Sequence, residues 1–149
     1  MIKCEKIKIK KLSENAKIPT YGSEFSAGAD IYALTGKDIE IVPNETVMIH
    51  SGVAFEIPDG YVGLVYARSS MAYKNGLAPA NKVGVIDSDY RGELMVPLYN
   101  QSDKTQIISN GDRIAQIVFT PYLKADFFED DNLSDTQRGE GGFGSTGRM

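Results

Sequence analysis

Among its 149 residues the sequence has one cysteine, Cys4, and one histidine, His50. A lone cysteine excludes an internal disulfide and a cysteine-based zinc site, and it suits a reducing compartment. A lone histidine excludes a multi-histidine metal centre, so any Ser-His-Asp or Cys-His arrangement would have to use His50. His50 lies in the strand-like run TVMIHSGVAF and, like Cys4, reads as structural. Long apolar runs are also missing. No stretch approaches the ~18 residues of a membrane span, and the Lys-rich start MIKCEKIKIKKL lacks the apolar segment of a signal peptide. The expectation is a cytoplasmic chain with no membrane partner. Helical periodicity is nearly absent, and no internal repeat stands out.

What is present points to strands. Hydrophobic residues make up 42% of the chain, which is long enough for one self-sufficient core. Ile7 and Ile9 alternate with Lys6, Lys8 and Lys10, as on a half-exposed strand. The runs ADIYAL, DIEIV, TVMIHSGVAFEI, YVGLVYA, VGVI, ELMVPLYN and DRIAQIVF follow, separated by turn signals such as Pro58-Asp59-Gly60 and Asn110-Gly111-Asp112. Many short strands at this spacing predict an all-β sandwich or barrel. The exception is Ser69 to Asn75, which predicts one or two helical turns with a serine as N-cap and Gly76 as the stop.

Charge and glycine are unevenly spread. The chain carries 20 acidic and 16 basic residues, and Asp126, Glu129, Asp130, Asp131 and Asp135 fall in one stretch without a base. The remainder is nearly neutral, so the acidic average does not exclude an anionic ligand. Five of the 15 glycines crowd into RGEGGFGSTGRM at the end. This divides the chain into a core over 1–125 and, over 126–149, an acidic linker with a Gly-rich arm.

Several segments could carry chemistry. In the arm, Gly139 and Gly144 have the G-x-x-x-x-G spacing of a phosphate loop but without its lysine. Arg138 could supply the charge, Phe143 an aromatic face, and the amides around Ser145 and Thr146 a phosphate wrap; the other reading is a plain disordered tail. Two arginines behind five acids make a poor counterion-release device, which argues against nucleic acid as a partner. In YARSSMAYKNG, Arg68, Ser69 and Ser70 form either a second phosphate clamp or an ordinary helix cap beside a surface ion pair. In ANKVGVIDSDYRGELMV, two apolar runs flank Asp-Ser-Asp, which predicts a hairpin with Asp87, Asp89, Tyr90 and Arg91 near its tip and Asn81 close by. Asp30, in AGADIYA, is either a partnered carboxylate or an exposed strand residue. Gln116, in GDRIAQ, shares a face with Ile114 by strand alternation and is either aimed at a site or on its rim.

In this order the segments closely resemble the five motifs of the trimeric dUTPases: AGADIYA, ARSSMA, GVIDSDYRGE, GDRIAQ and RGEGGFGSTG. The match runs from Ala27 to Gly147, and the visible departure is Ser70, where many members have glycine. The resemblance implies a distorted β jelly-roll with one short helix, assembled as a homotrimer that exchanges C-terminal arms and shares its active sites. It implies hydrolysis of dUTP to dUMP and pyrophosphate, which limits uracil in DNA and supplies dUMP for dTMP synthesis. Mg²⁺ would be held mainly by the substrate phosphates, with Asp30 near its water shell. By the same resemblance Asp87 is the catalytic carboxylate. Arg68, Ser69, Ser70, Gln116 and Arg138 hold the phosphates, and Asn81 with the main chain at Val85 and Ile86 reads uracil. Tyr90 packs beneath the deoxyribose, Met95 lines the pocket, Phe143 closes over the base, and Gly144, Ser145 and Thr146 wrap the γ-phosphate. Two alternatives are a dCTP deaminase from the same superfamily and a regulatory binding module on this scaffold.

Overall fold

The computed structural model describes residues 5–143, so Cys4, Gly144, Ser145 and Thr146 lie outside the described residues. Those residues form eleven strands and one helix: β1 (Lys8–Lys11), β2 (Thr20–Tyr21), β3 (Ala29–Tyr32), β4 (Ile39–Ile41), β5 (Thr46–Glu56), β6 (Tyr61–Tyr66), α1 (Ser69–Asn75), β7 (Leu77–Pro79), β8 (Gly84–Ile86), β9 (Glu93–Asn100), β10 (Gln106–Ile108) and β11 (Arg113–Pro121). Two sheets dominate, one in the order β1-β5-β9-β7 and the other in the order β2-β3-β11-β6-β8, with the pair β10-β4 beside them. The pairings are antiparallel. A single apolar cluster draws Ile31, Val65 and Ile117 from one sheet and Ile49, Leu94, Val96 and Leu98 from the other, so the sheets face each other as a distorted jelly roll.

Alternation decides which residues enter that cluster. In β9, Leu94, Val96, Leu98 and Asn100 point inward while Met95 is exposed. Asn100 is the polar exception, with none of its surface exposed. Its Nδ2 donates to the carbonyls of Ile41 and Lys104 at 2.8 and 2.7 Å, and its Oδ1 accepts from the Ser102 amide and hydroxyl at 2.9 and 2.7 Å. Every hydrogen-bonding position of the side-chain amide is therefore used, which is how a core tolerates an asparagine.

Two local expectations are overturned. β8 pairs with β6, and β9 pairs with β5 and β7, so the two strands around Asp87 do not form a hairpin. The chain instead turns at Asp87, with the Tyr90 amide on the Asp87 carbonyl at 3.2 Å, and crosses to the opposite sheet. Two apolar runs flanking a turn read the same whether they pair with each other or with separate neighbours. No serine caps α1 either. Its N-cap is Arg68, which makes no side-chain capping bond, although Gly76 ends the helix in the left-handed conformation as expected.

Strands β2, β7 and β10 are two or three residues long, too short to show an alternating pattern. After Pro121 no regular structure follows among the described residues. Leu123, Phe127, Phe128 and Leu133 are each at least 85% exposed.

Asn100→Leu keeps the approximate volume but removes all four bonds of the side-chain amide, leaving the Ser102 hydroxyl only the Lys104 carbonyl as an acceptor, and should cost about 3–5 kcal/mol. Urea unfolding at matched protein concentration measures it; a loss under about 1 kcal/mol would contradict the proposed bonding role.

Candidate active site

β3 is buried on both faces. Ala29 and Ile31 turn to the core, and Asp30 between them turns the other way yet is only 9% exposed. Two arginines cover it. Arg68 Nε donates to Asp30 Oδ1 at 2.7 Å, and Arg113 Nη1 donates to Oδ2 at 3.2 Å. Arg68 also reaches the Arg113 carbonyl at 3.3 Å. Both oxygens of Asp30 are thus engaged, which settles it as a partnered carboxylate. The short charge-assisted bond from Nε fixes Arg68 where β6 ends and α1 begins.

An open cavity of about 440 Å³ lies over this cluster, lined by Asp30, Tyr66, Arg68, Ser69, Arg113 and Gln116 among others. Sheet register explains the grouping. Asp30 pairs with Gln116, which pairs with Tyr66, so the three stand in one row across β3, β11 and β6 and face the same side. Gln116 Nε2 donates to the Ala67 carbonyl at 3.0 Å, tying β11 to the segment that carries Arg68. Its shared face with Ile114 is a further correction. The register slips between Arg113 and Ala115, and the irregularity lets Ile114 enter the core while Gln116 lines the cavity. Arg113 and Tyr66 had no marked place in the sequence reading, although Arg113 sits three residues before Gln116 in GDRIAQ. Ser70 follows Ser69 on α1 and is half-buried.

The remaining candidates stand elsewhere. Asn81 is exposed ahead of β8, in a turn where the Val83 amide bonds the Asn81 carbonyl at 2.7 Å. Val85 is 62% exposed, and Ile86 is half-buried. β8 is the last strand of its sheet, so one side of its main chain pairs with β6 and the other has no partner strand among the described residues. Asp87 is exposed, and its carboxylate has no side-chain partner among them. Tyr90 and Met95 are exposed at 42% and 38%. Arg138 Nε bonds the Gly141 carbonyl at 2.7 Å in an exposed turn, and Phe143 is fully exposed.

Asp87 and the Arg68 cavity are therefore not brought together within one chain. Ile86 pairs with Gly63, while Arg68 lies five residues further along the strand direction of β6. At about 3.3 Å per residue, Gly63 to Tyr66 alone spans roughly 10 Å, with Asp87 beyond one end and Arg68 beyond the other. As for a metal, the described residues contain no group of three or more His, Cys, Asp or Glu that could hold one. The residues present do not fit a resident ion bound by protein ligands alone. No helix among the described residues is long and apolar enough to cross a membrane.

A family model described as dUTPase matches residues 14–147. The deoxyuridine 5'-triphosphate nucleotidohydrolase of Nautilia profundicola is 46% identical over 143 residues, spanning 96% of this chain and 99% of that one. Its counterpart in Desulfitobacterium hafniense is 48% identical over 132 residues, 88% of this chain and 87% of its own. A mutant dUTPase of Staphylococcus bacteriophage 80alpha, solved with dUpNHpp, gives a TM-score of 0.85 at 28% identity over 97% of this chain and 99% of that one. A mutant dUTPase of phage phi11 of S. aureus, whose structure reveals the coordination of a structural Mg(II) ion, gives 0.79 at 26% identity, covering 88% and 100%.

Asp30→Asn should destabilise the fold by about 2–3 kcal/mol, because it leaves Arg68 with a weaker acceptor in a mostly buried pair. Arg113→Ala, at the more exposed partner, should cost under about 1 kcal/mol. Denaturant midpoints rank the two; equal costs would contradict Arg68 as the principal partner of Asp30.

Proposed function

The chain belongs to the dUTPase family, and from that premise we propose that it hydrolyses dUTP to dUMP and pyrophosphate through a site assembled from more than one copy of itself. The observation that carries this reading is the contrast between Asp30 and Asp87. Asp30 has both oxygens taken by guanidinium groups, whereas Asp87 is exposed and has no side-chain partner among the described residues. Asp87, unlike Asp30, is open to water, and the motif gives it rather than the equally exposed Asp89 the role of base. It would orient and activate the water that attacks the α-phosphorus, while Asp30 acts through Arg68. Alignment and charge stabilisation supply much of the rate enhancement.

Phosphate alignment falls to Arg68, Ser69, Ser70 and Gln116 from one copy and Arg138 from an arm. Arg68 arrives pre-oriented by Asp30 and loses little freedom on binding. Mg²⁺ would be held mainly by the substrate phosphates and would supply charge stabilisation for the leaving pyrophosphate; the described residues contain no group of three or more His, Cys, Asp or Glu that could hold it alone. Asp87, at the opposite end of β6 from Arg68 on its own chain, would reach those phosphates from a second copy. The exposed apolar residues of the arm, Phe127, Phe128 and Leu133, favour docking on a neighbour, which fits a homotrimer with exchanged arms.

Uracil recognition uses the open edge of β8. The base presents an N–H between two carbonyls, and an unpaired strand edge offers main-chain donors and acceptors to match, with the Asn81 amide beside it. Cytosine brings a donor where uracil has an acceptor and leaves buried groups unmatched. Tyr90 lies beneath the deoxyribose, and Met95 lines the same side. Phe143 closes over the base as Gly144, Ser145 and Thr146 wrap the γ-phosphate, limiting exchange with bulk water.

Pyrophosphate release from dUTP, dCTP, dTTP and UTP with Mg²⁺ should be confined to dUTP; equal turnover of UTP would contradict the role of Tyr90. Asp87→Asn should lower turnover by about 10²–10⁴ while retaining nucleotide binding, as titration calorimetry would show. Mixing inactive Asp87→Asn chains with inactive chains truncated before Arg138 should restore measurable activity. No recovery after verified subunit exchange would overturn the shared site.

A further inference from the structure

The register of β5 against β9 jumps on the far side of Tyr90. His50 pairs with Met95, yet Glu93 pairs with Ala54, two residues beyond its place in an unbroken ladder. Gly52, within the resulting bulge, has φ 70, and a Cβ there would sit 2.8 Å from that of Ala16. The Glu93 side chain plugs the bulge. Its Oε1 accepts the Gly52 amide at 2.8 Å, and its Oε2 bonds His50 Nδ1 at 2.9 Å. Burial pushes the Glu93 carboxyl pKa up, but the bonds from His50 and the Gly52 amide outweigh it and hold the pKa below the ordinary value.

The main-chain carbonyl of the same residue holds Tyr90. The Tyr90 hydroxyl donates to the Glu93 carbonyl at 2.9 Å, which folds the ring back over Gly92. A Cβ at position 92 would collide with the ring carbons and phenol oxygen of Tyr90, so the missing side chain makes room for this fold. Unlike a free tyrosine, this ring is tethered to a residue whose own side chain is secured at both oxygens.

We propose that Glu93 is the positioning residue for sugar discrimination: anchored in the Gly52 bulge, it fixes the carbonyl that holds the Tyr90 phenol, so the ring cannot retreat from a ribose 2′-hydroxyl. This rests on the reading that Tyr90 lies beneath the deoxyribose. A wall excludes one extra oxygen only if it does not yield, and the described tether supplies that stiffness. His50 contributes one of the two anchoring contacts, which gives the histidine a structural role one step removed from substrate.

The test compares kcat/KM for UTP and dUTP in the full-length protein. The UTP-to-dUTP ratio should rise about tenfold in Glu93→Ala and in Tyr90→Phe, which keeps the ring but loses the tether. Glu93→Gln, whose amide oxygen can still accept from Gly52, should return the ratio to within about twofold of the unsubstituted protein. An unchanged ratio in folded Glu93→Ala, or a failure of Glu93→Gln to restore it, overturns the proposal. Where Glu93→Ala does not fold, Tyr90→Phe reads the same tether, and an unchanged ratio there also overturns it. Tyr90→Ala separates this result from the underlying assignment: if it leaves the ratio unchanged, Tyr90 does not face the sugar.

Discussion

The cavity side of the molecule depends on a single carboxylate held between two guanidinium groups. Asp30 occupies a strand position that alternation sends away from the core, and Arg68 and Arg113 bury it there. The pair joins β3, the end of β6 and the start of β11, three places far apart in sequence. Desolvating these charges offsets much of their attraction, so the value of the arrangement lies in geometry more than in stability. A guanidinium fixed by one carboxylate points its remaining donors in known directions, which suits a polyanionic ligand.

The opposite end of the same sheet obeys another constraint. β8 is an edge strand, and the chain leaves it for the other sheet at Asp87. The open main-chain edge of β8 and the exposed Asp87 carboxylate therefore travel together, while the cationic cluster stays at the far end of β6. The proposed site needs both halves, which is why it is assigned to more than one copy. The arm follows the same logic: its aromatic residues find no place in their own core, and Arg138 and Phe143 lie well beyond the last strand.

Much of this was legible in the sequence. Strands with clear alternation, such as β9, and the helix ended by Gly76 appear close to where the pattern puts them. Pairing was less legible, because an apolar run encodes which face is buried and not which neighbour it joins; hence the false hairpin around Asp87. The irregularity at Ile114 and the Gly52 bulge escape period-two reading because each interrupts the period itself. Asp30, Arg68 and Gln116 could be singled out by residue type and motif, but their common cavity depends on register across three strands. Arg113 was hidden by an ordinary position beside a turn, and Glu93 by looking like any exposed-strand acid.

The shortness of β8 also limits what it can recognise. A long open strand is a template for another polypeptide, whereas three residues between a turn and a crossover offer too few groups in line to hold one. They are enough for one planar ring. On the proposed reading of β8 as the uracil-facing edge, its reading frame would be a single nucleobase wide, set by the same truncation that protects the protein from adventitious strand pairing.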